Sequence, residues 1–363
     1  MRMIEAETFG QEREFPMMQI IDQEGNLTDD THRGEITKEI AQLFYSQLKK
    51  MRLFDRKAIN LQRQGRIGTY PPFEGQEAAQ VGSAFALNEG DWMFPTYRDH
   101  AAIITFAQSY YILANWKGRI EGNVPPHGKN ILPPSVPIAT QLPIAAGAAM
   151  ASKFKGDPTA SLVYFGDGAT SEGDFHEGLN FASVFKAPVV FFNQNNGYAI
   201  SVPIEKQMNS KTIAQKSVAY DIPGIRIDGN DIFIVYFETK KALERARLGK
   251  GPTLIEAVTW RYGAHSTADD PKKYRNPDES EERRKFDPLI RLELFMKKSG
   301  YWDDDWALRL DEEAVQEIEE AVQKFESKPP PDVNDLYDHM FEEMPWPIAE
   351  HKQQYLQYLR GGQ

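Results

Sequence analysis

Ser161-Leu162-Val163-Tyr164-Phe165 runs directly into Gly166-Asp167-Gly168-Ala169-Thr170-Ser171-Glu172-Gly173-Asp174, and Val189-Val190-Phe191-Phe192-Asn193 runs into Gln194-Asn195-Asn196-Gly197-Tyr198. Each apolar run reads as a buried strand, and Phe175 to Phe185 between them reads as a helix. A strand–helix–strand unit of this size pairs its strands in parallel through a right-handed crossover, which brings both strand C-termini to one sheet edge. Outward from this unit the alternation continues, with strands at Ile225 to Asp228 and Thr253 to Val258 and a helix from Ile234 to Leu248 between them. The pattern predicts an α/β fold, a parallel sheet flanked by helices, with ligands at the carboxyl edge of the strands.

The loops at that edge carry the chemistry. Asp167 and Asn196 project from neighbouring strand ends and can share one ion. A carboxylate, an amide oxygen and a main-chain carbonyl are hard ligands that suit a Mg²⁺ also bound to phosphate oxygens. Gly166 and Gly168 let the backbone turn and approach phosphates, and the following helix points free N–H groups at them. A dinucleotide-binding Gly-x-Gly-x-x-Gly loop fits poorly. Its sixth position is Ser171, and Asp167 would repel a pyrophosphate unless a cation lay between. A plain strand-to-helix turn explains the glycines but leaves the Asn195-Asn196-Gly197 turn a coincidence.

Around this unit the chain is acidic: 42 Lys and Arg stand against 53 Asp and Glu in 363 residues, a net charge of −11. On that balance a duplex nucleic-acid partner is not expected, because phosphate binding needs a basic face. The absence of Cys excludes a disulfide, a thiolate zinc site and a dithiol redox pair. Met1 to Gly10 has no apolar h-region and no later run approaches about 18 apolar residues, so neither a signal peptide nor a membrane span is expected and the reading is cytoplasmic. An N-terminal arm spans 1–35, the α/β domain 36–285 and a helical extension 286–363. From Ile36 to Gln64 apolar residues recur every three or four positions, the mark of one helix face, and Gly65 is the natural stop. Tyr70 to Glu77 is a loop leading into a helix near Gln76. Val124 to Pro143 is a Pro-rich, irregular connection of functional or interfacial kind. The small side chains of Ile144 to Ala151 predict a helix packed tightly within the domain or against a subunit.

Gly-Asp-Gly followed by Asn-Asn is the signature of thiamine diphosphate enzymes. Over nearly its whole length the chain resembles the alpha subunit of the decarboxylating first component of 2-oxo acid dehydrogenase complexes. Further matching pieces are Arg63-Gln64-Gly65-Arg66, Tyr97-Arg98-Asp99, Ala139-Thr140-Gln141, Arg226-Ile227-Asp228-Gly229 and Tyr262-Gly263-Ala264-His265-Ser266. The resemblance implies Asp167, Asn196 and the carbonyl of Tyr198 as Mg²⁺ ligands. It places Tyr97 and Arg98 at the diphosphate, a task that the guanidinium fork of Arg98 suits. Gly166, Gly168, Ala169, Ala199 and Ile200 then also border the cofactor, Val136 and Ile138 meet its aminopyrimidine through the main chain, and Ser135, Pro137, Thr140 and Gln141 surround a K⁺ ion. Some family members carry Ser at the position of Val136 and Arg at that of Gln194. A main-chain contact survives the first change, whereas a diphosphate contact from Gln194 does not follow.

By the same resemblance His265 is the histidine of an active-site loop, at the cofactor and in a catalytic role, with a pKa range suited to proton traffic. Asp269 and Asp270 of that loop then hold its own backbone or nearby cations. His100 and His127 read as structural. Glu74 and Glu77 are candidates for the carboxylate that activates the pyrimidine, but the resemblance assigns that Glu to a separate beta subunit. The implied activity is oxidative decarboxylation of a 2-oxo acid with acyl transfer to the lipoyl group of an acyltransferase core, in an alpha2–beta2 heterotetramer. Gly122 to Pro125, Ile131 to Pro134 and Pro203 to Gln207 resemble bacterial members acting on pyruvate, whereas Gly263 to Asp270 is also similar to branched-chain members. The rival classes are a nicotinamide dehydrogenase, opposed by the loop argument, and a non-catalytic scaffold, opposed by the intact ligand set.

Overall fold

The computed structural model describes residues 14–361. The reading of Met1 to Gly10, and the first part of the arm, lie outside the described residues. In chain order the elements are β1 (Met17–Met18), α1 (Lys38–Arg63), α2 (Glu77–Phe85), β2 (Trp92–Phe94), α3 (His100–Ala107), α4 (Ile112–Trp116), β3 (Asn130–Ile131), α5 (Gln141–Lys155), β4 (Ser161–Gly166) and α6 (Gly173–Phe185). There follow β5 (Val189–Asn195), β6 (Tyr198–Ala199), β7 (Val202–Pro203), α7 (Ile204–Gln207), β8 (Gly224–Asp228), α8 (Ile232–Arg247), β9 (Thr253–Val258), α9 (Pro277–Arg283), α10 (Pro288–Lys298), α11 (Asp304–Glu326) and α12 (Trp346–Gly361).

Seven strands form one parallel sheet in the order β1-β8-β9-β5-β4-β2-β3. Both faces are covered, which is why β4 and β5 are nearly continuous apolar runs rather than alternating ones. Leu162, Tyr164, Val190 and Phe192 face a layer built from α1, α2, α3, α8, α10 and α11. Val163, Phe165, Val189 and Phe191 face α5 and α6. Fully burying a side chain such as Phe191 or Phe192 stabilises the fold by roughly 1.5–3 kcal/mol. On α5 the small residues Ala145, Ala146 and Ala149 pack inward, while Ile144, Gly147 and Ala151 are exposed.

Thr37 caps α1 by accepting from the Ile40 N–H, and Gly65, at φ +70°, ends it as the sequence implies. The described part of the arm joins the sheet: β1 pairs with β8, and the N–H groups of Ile20 and Ile21 donate to Asp231, the N-cap of α8, at 2.6 and 2.8 Å. The C-terminal helices α10 and α11 bury Leu292, Phe295, Met296, Ile318 and Val322 against α1 in the same core. Arg291 of α10 also donates to Asp228 at the end of β8 at 2.7 Å, so the Asp of the Arg226 to Gly229 piece is an anchor for the extension. Strands β2 and β3, at three and two residues, are too short to show a period in sequence. The Pro-rich segment runs beside β2, with the Leu132 and Ser135 N–H groups donating to Met93 and Pro95 carbonyls. Among the described residues no helix is long and apolar enough to cross a membrane.

Candidate active site

Register fixes the site. Gly166 lies opposite Gln194 in the β4–β5 pair, so Asp167 and Asn196 emerge from adjacent strands at the same level. They border one cleft, together with Tyr97, Arg98, Tyr198 and His265. From Asp167 to Ser171 the chain makes a 3-10 turn before α6 begins at Gly173. Neither Gly166 nor Gly168 has a positive φ, so a special turn conformation is not what they provide. A Cβ on Gly168 would stand 2.9 Å from that of Ala199, whereas one on Gly166 would meet open space. Gly168 serves close approach to the β6 strand, and Gly166 lines the cleft.

Asp167 is almost fully buried, and its Oδ2 has no hydrogen-bond partner. Burial raises its carboxyl to about 6, opposed by its own N–H, the Arg261 charge and the Asn196 N–H. A buried carboxylate oxygen without a donor is the condition that a bound cation relieves. Asn196 accepts from the Tyr198 N–H at 3.2 Å and donates Nδ2 to Gln76 Oε1 at 3.0 Å. Among the described residues no three His, Asp or Glu side chains converge as a metal site. A cation here would therefore rest on one carboxylate and neutral oxygens, a donor set that fits Mg²⁺. At the other expected ion site, Ser135 and Thr140 hydroxyls donate to the Pro137 carbonyl at 3.0 and 2.8 Å, and the buried Gln141 Oε1 has no partner.

His265 is placed by its neighbours. Its Nδ1 lies 3.1 Å from nitrogens of both Arg98 and Arg261, which have only protons to offer, so Nδ1 accepts and the ring proton sits on Nε2. Burial, then the Arg98 and Arg261 charges, push the imidazole down to about 4, with Asp269 opposing. The ring is neutral at neutral pH. Asp269 takes the His265 N–H at 2.8 Å and the Tyr274 hydroxyl at 2.5 Å, and Asp270 caps the Lys272 N–H, so both acids hold the loop's own backbone or side chains. Tyr97 meets the His265 ring edge-on. The terminal nitrogens of Arg98 also donate to the Pro72 and His265 carbonyls at 2.6 and 2.8 Å.

Ser135, Pro137, Ile138, Gln141, Ala169, Ala199 and Ile200 line the same cleft, whereas Val136 and Thr140 stand outside the lining. Glu74 and Glu77 do not line it: Glu77 is buried against Arg52, and Glu74 pairs with Arg56 at 3.1 Å. His100 is fully buried between Tyr70 and Trp116, and His127 is exposed on the Pro-rich connection.

Several residues at or beside the site escaped the sequence reading, among them Gln76, which lines the cleft. Arg261, just past β9, is buried, touches His265 and donates Nη2 to the carbonyl of Ile200, which sits at φ +57° in the β6–β7 hairpin. Burial and then Arg98 lower its pKa to about 10, still cationic at neutral pH. Gln207 donates to the Asp167 carbonyl at 2.7 Å and to Ser171 Oγ at 3.1 Å. Lys216 donates to the carbonyl and hydroxyl of Thr170 at 2.9 and 3.1 Å. The position of Arg261 at the functional sheet edge was a usable signal. Gln207 ends the short helix α7 and Lys216 sits in a 3-10 helix, and neither stood in a pattern that pointed to the site.

The model of the family described as "Dehydrogenase E1 component" matches residues 46–334. The chain is 41% identical over 340 residues to a protein of Staphylococcus aureus named "Pyruvate dehydrogenase E1 component subunit alpha", covering 93% of this chain and 91% of that one. Proteins of the same name from Bacillus cereus, 40% identical over 339 residues, and Staphylococcus epidermidis, 41% over 340, match with the same coverage. The parallel sheet, the strand-end loops that carry Asp167 and Asn196 and a match along most of both chains agree: the chain belongs to the dehydrogenase E1 component family.

Proposed function

We propose that this chain is the alpha subunit of a thiamine diphosphate-dependent dehydrogenase that decarboxylates pyruvate and passes the acyl group to the lipoyl group of an acyltransferase core. The observation that carries the reading is the buried, unpartnered Asp167 Oδ2 facing the cleft beside Asn196. Asp167, Asn196 and the Tyr198 carbonyl would hold Mg²⁺, and Tyr97, Arg98, Gly166 and Ala169 would border the diphosphate. Ser135, Pro137, Thr140 and Gln141 would take K⁺, a reading supported by the partnerless Gln141 Oε1. Thiamine diphosphate, when bound, supplies the carbanion that adds to the keto carbon and the electron sink that lets CO₂ leave.

The chain's own work is to bind, orient and exclude. Arg98 and Arg261 keep His265 in one tautomer, so Nε2 can donate to an oxygen developing charge and take the proton back. The names of the relatives favour pyruvate over branched-chain acids. A beta subunit would complete an alpha2–beta2 assembly in the cytoplasm. The test is decarboxylation by the reconstituted alpha–beta pair with pyruvate and with 3-methyl-2-oxobutanoate. Preference for the branched substrate would move the chain to the branched-chain enzymes, and no turnover of either would refute the reading.

A further inference from the structure

Behind Asn196 lies a chain of buried side-chain amides whose direction is fixed at two points. At one end, Asp99 Oδ2 accepts from the N–H and hydroxyl of Thr96 at 2.6 and 2.7 Å, and Oδ1 accepts from Gln194 Nε2 at 2.5 Å. A carboxylate offers no proton, so Gln194 must turn its NH₂ to Asp99 and its Oε1 the other way. The second point is Gln80. Its Oε1 accepts the Ala101 N–H at 3.0 Å, so its NH₂ faces the Arg98 carbonyl and Gln194 Oε1 at 3.2 and 3.1 Å. A backbone donor and a carboxylate thus impose the same orientation on Gln194.

The direction propagates. Gln76 Nε2 donates to Gln194 Oε1 at 3.0 Å, which leaves Gln76 Oε1 as the acceptor for Asn196 Nδ2, also at 3.0 Å. Gln76, Gln80, Asp99 and Gln194 are all at most 3% exposed, so water does not supply substitute partners for amides turned the wrong way round. We infer that Gln76 is a positioning residue, the last link of an Asp99–Gln194–Gln76 relay that, together with the Tyr198 N–H on Oδ1, turns the amide oxygen of Asn196, and not its nitrogen, toward a divalent cation. The inference rests on the reading of Asn196 as a cation ligand. It also explains Gln194: an arginine there is donor-only and could not accept from Gln76 and Gln80.

The experiment is calorimetric titration of Mg²⁺ into the assembled alpha–beta enzyme saturated with thiamine diphosphate, with thermal unfolding to confirm that each variant is folded. Gln76→Leu and Asp99→Asn should each weaken Mg²⁺ binding roughly 10- to 100-fold, the usual effect of losing a partner that orients a ligand. In both, kcat should recover at saturating Mg²⁺. Gln76→Glu should bind Mg²⁺ closer to the parent than Gln76→Leu does, because a glutamate oxygen still accepts from Asn196 Nδ2 in either protonation state. Parent-like affinity in Gln76→Leu, or equal damage from Gln76→Glu and Gln76→Leu, overturns the relay. Asn196→Ala separates the two levels: unchanged affinity there refutes the ligand assignment itself, whereas a loss in Asn196→Ala alone refutes only the relay.

Discussion

Arg261 Nη1 lies 3.1 Å from His265 Nδ1, and the same guanidinium holds the Ile200 carbonyl, so one buried cation ties the active-site loop to the hairpin that begins at Tyr198. A positive group held against the imidazole keeps it neutral, with its remaining proton directed away from both arginines. The loop that carries His265 and the hairpin beside the proposed ion site therefore share one tether. Disturbing Arg261 should alter the protonation of one and the backbone of the other.

Arg261→Met should raise the His265 pKa from about 4 toward the ordinary imidazole value, because one of the charges that depress it is gone. In the parent enzyme the ring is deprotonated throughout pH 6–8, and kcat should show no acid limb from it. In the variant the acid limb should move to higher pH while burial and Arg98 still hold it below the free-imidazole range, together with a fall in kcat on the order of 10-fold or more. Superimposable kcat–pH profiles would show that Arg261 does not control His265.

His265→Ala separates binding from chemistry. Asp167 and Asn196 remain, so Mg²⁺-dependent cofactor affinity should change only a few-fold, while turnover and lipoyl acylation fall by roughly 10²- to 10⁴-fold, the range for a lost acid–base group. Single-turnover decarboxylation, lipoyl acylation and cofactor titration on the same preparation make the comparison. Parent rates in both chemical steps would leave His265 a structural residue of its loop.

Asp167→Ala should abolish Mg²⁺-dependent binding of thiamine diphosphate without loss of the fold, since it removes the one charged ligand proposed and relieves a buried carboxylate. Calorimetry of the assembled enzyme gives the answer, and unchanged affinity would end the metal assignment. The neighbouring tethers should act more mildly. Gln207→Leu or Lys216→Met frees one point of the turn at 167–171, so cofactor affinity should drop several-fold and amide exchange there should quicken. An unaltered exchange rate would make both contacts incidental.

The sequence exposed Asp167 and Asn196 because long apolar strands announce where they end, and ligands gather at those ends. The helix from Ile36 was legible for the same reason: its apolar spacing is periodic over many turns. Gln76, Gln207, Lys216 and Arg261 belong to no such pattern. Each reaches the site through a single side chain from a short or irregular stretch or a helix end, and only the folded chain brings it there. The relay is harder still, because its content lies in which end of each amide faces which neighbour. The glycines of the Gly166 to Gly168 turn were legible as necessary but for an incomplete reason, since contact with Ala199 is a tertiary fact.

The final prediction concerns assembly and follows from the division of labour along α5 and α6. Ala145, Ala146 and Ala149 are buried inside the domain, so the small-residue helix does pack tightly within it. The outer side of the same two helices carries Ile144, Phe154, Phe181, Val184 and Phe185, each at least 41% exposed, with Phe181 and Phe185 stacked ring on ring. Apolar side chains gathered on neighbouring helices are costly to leave in water and mark an interaction surface more readily than scattered ones would. If that surface is part of the alpha2–beta2 contacts, Phe181→Asp should leave the isolated chain's thermal unfolding nearly unchanged, since the side chain is half in solvent, while lowering heterotetramer yield in co-expression. Cofactor-dependent activity should fall with the yield, because the pyrimidine-activating Glu is expected from the beta subunit, and the purified chain alone should not decarboxylate a 2-oxo acid. Sedimentation of the parent and variant pairs decides the first point. A fully assembled Phe181→Asp enzyme would place the subunit contact elsewhere on the chain, and normal turnover by the chain alone would defeat the argument that it holds only half of the active site.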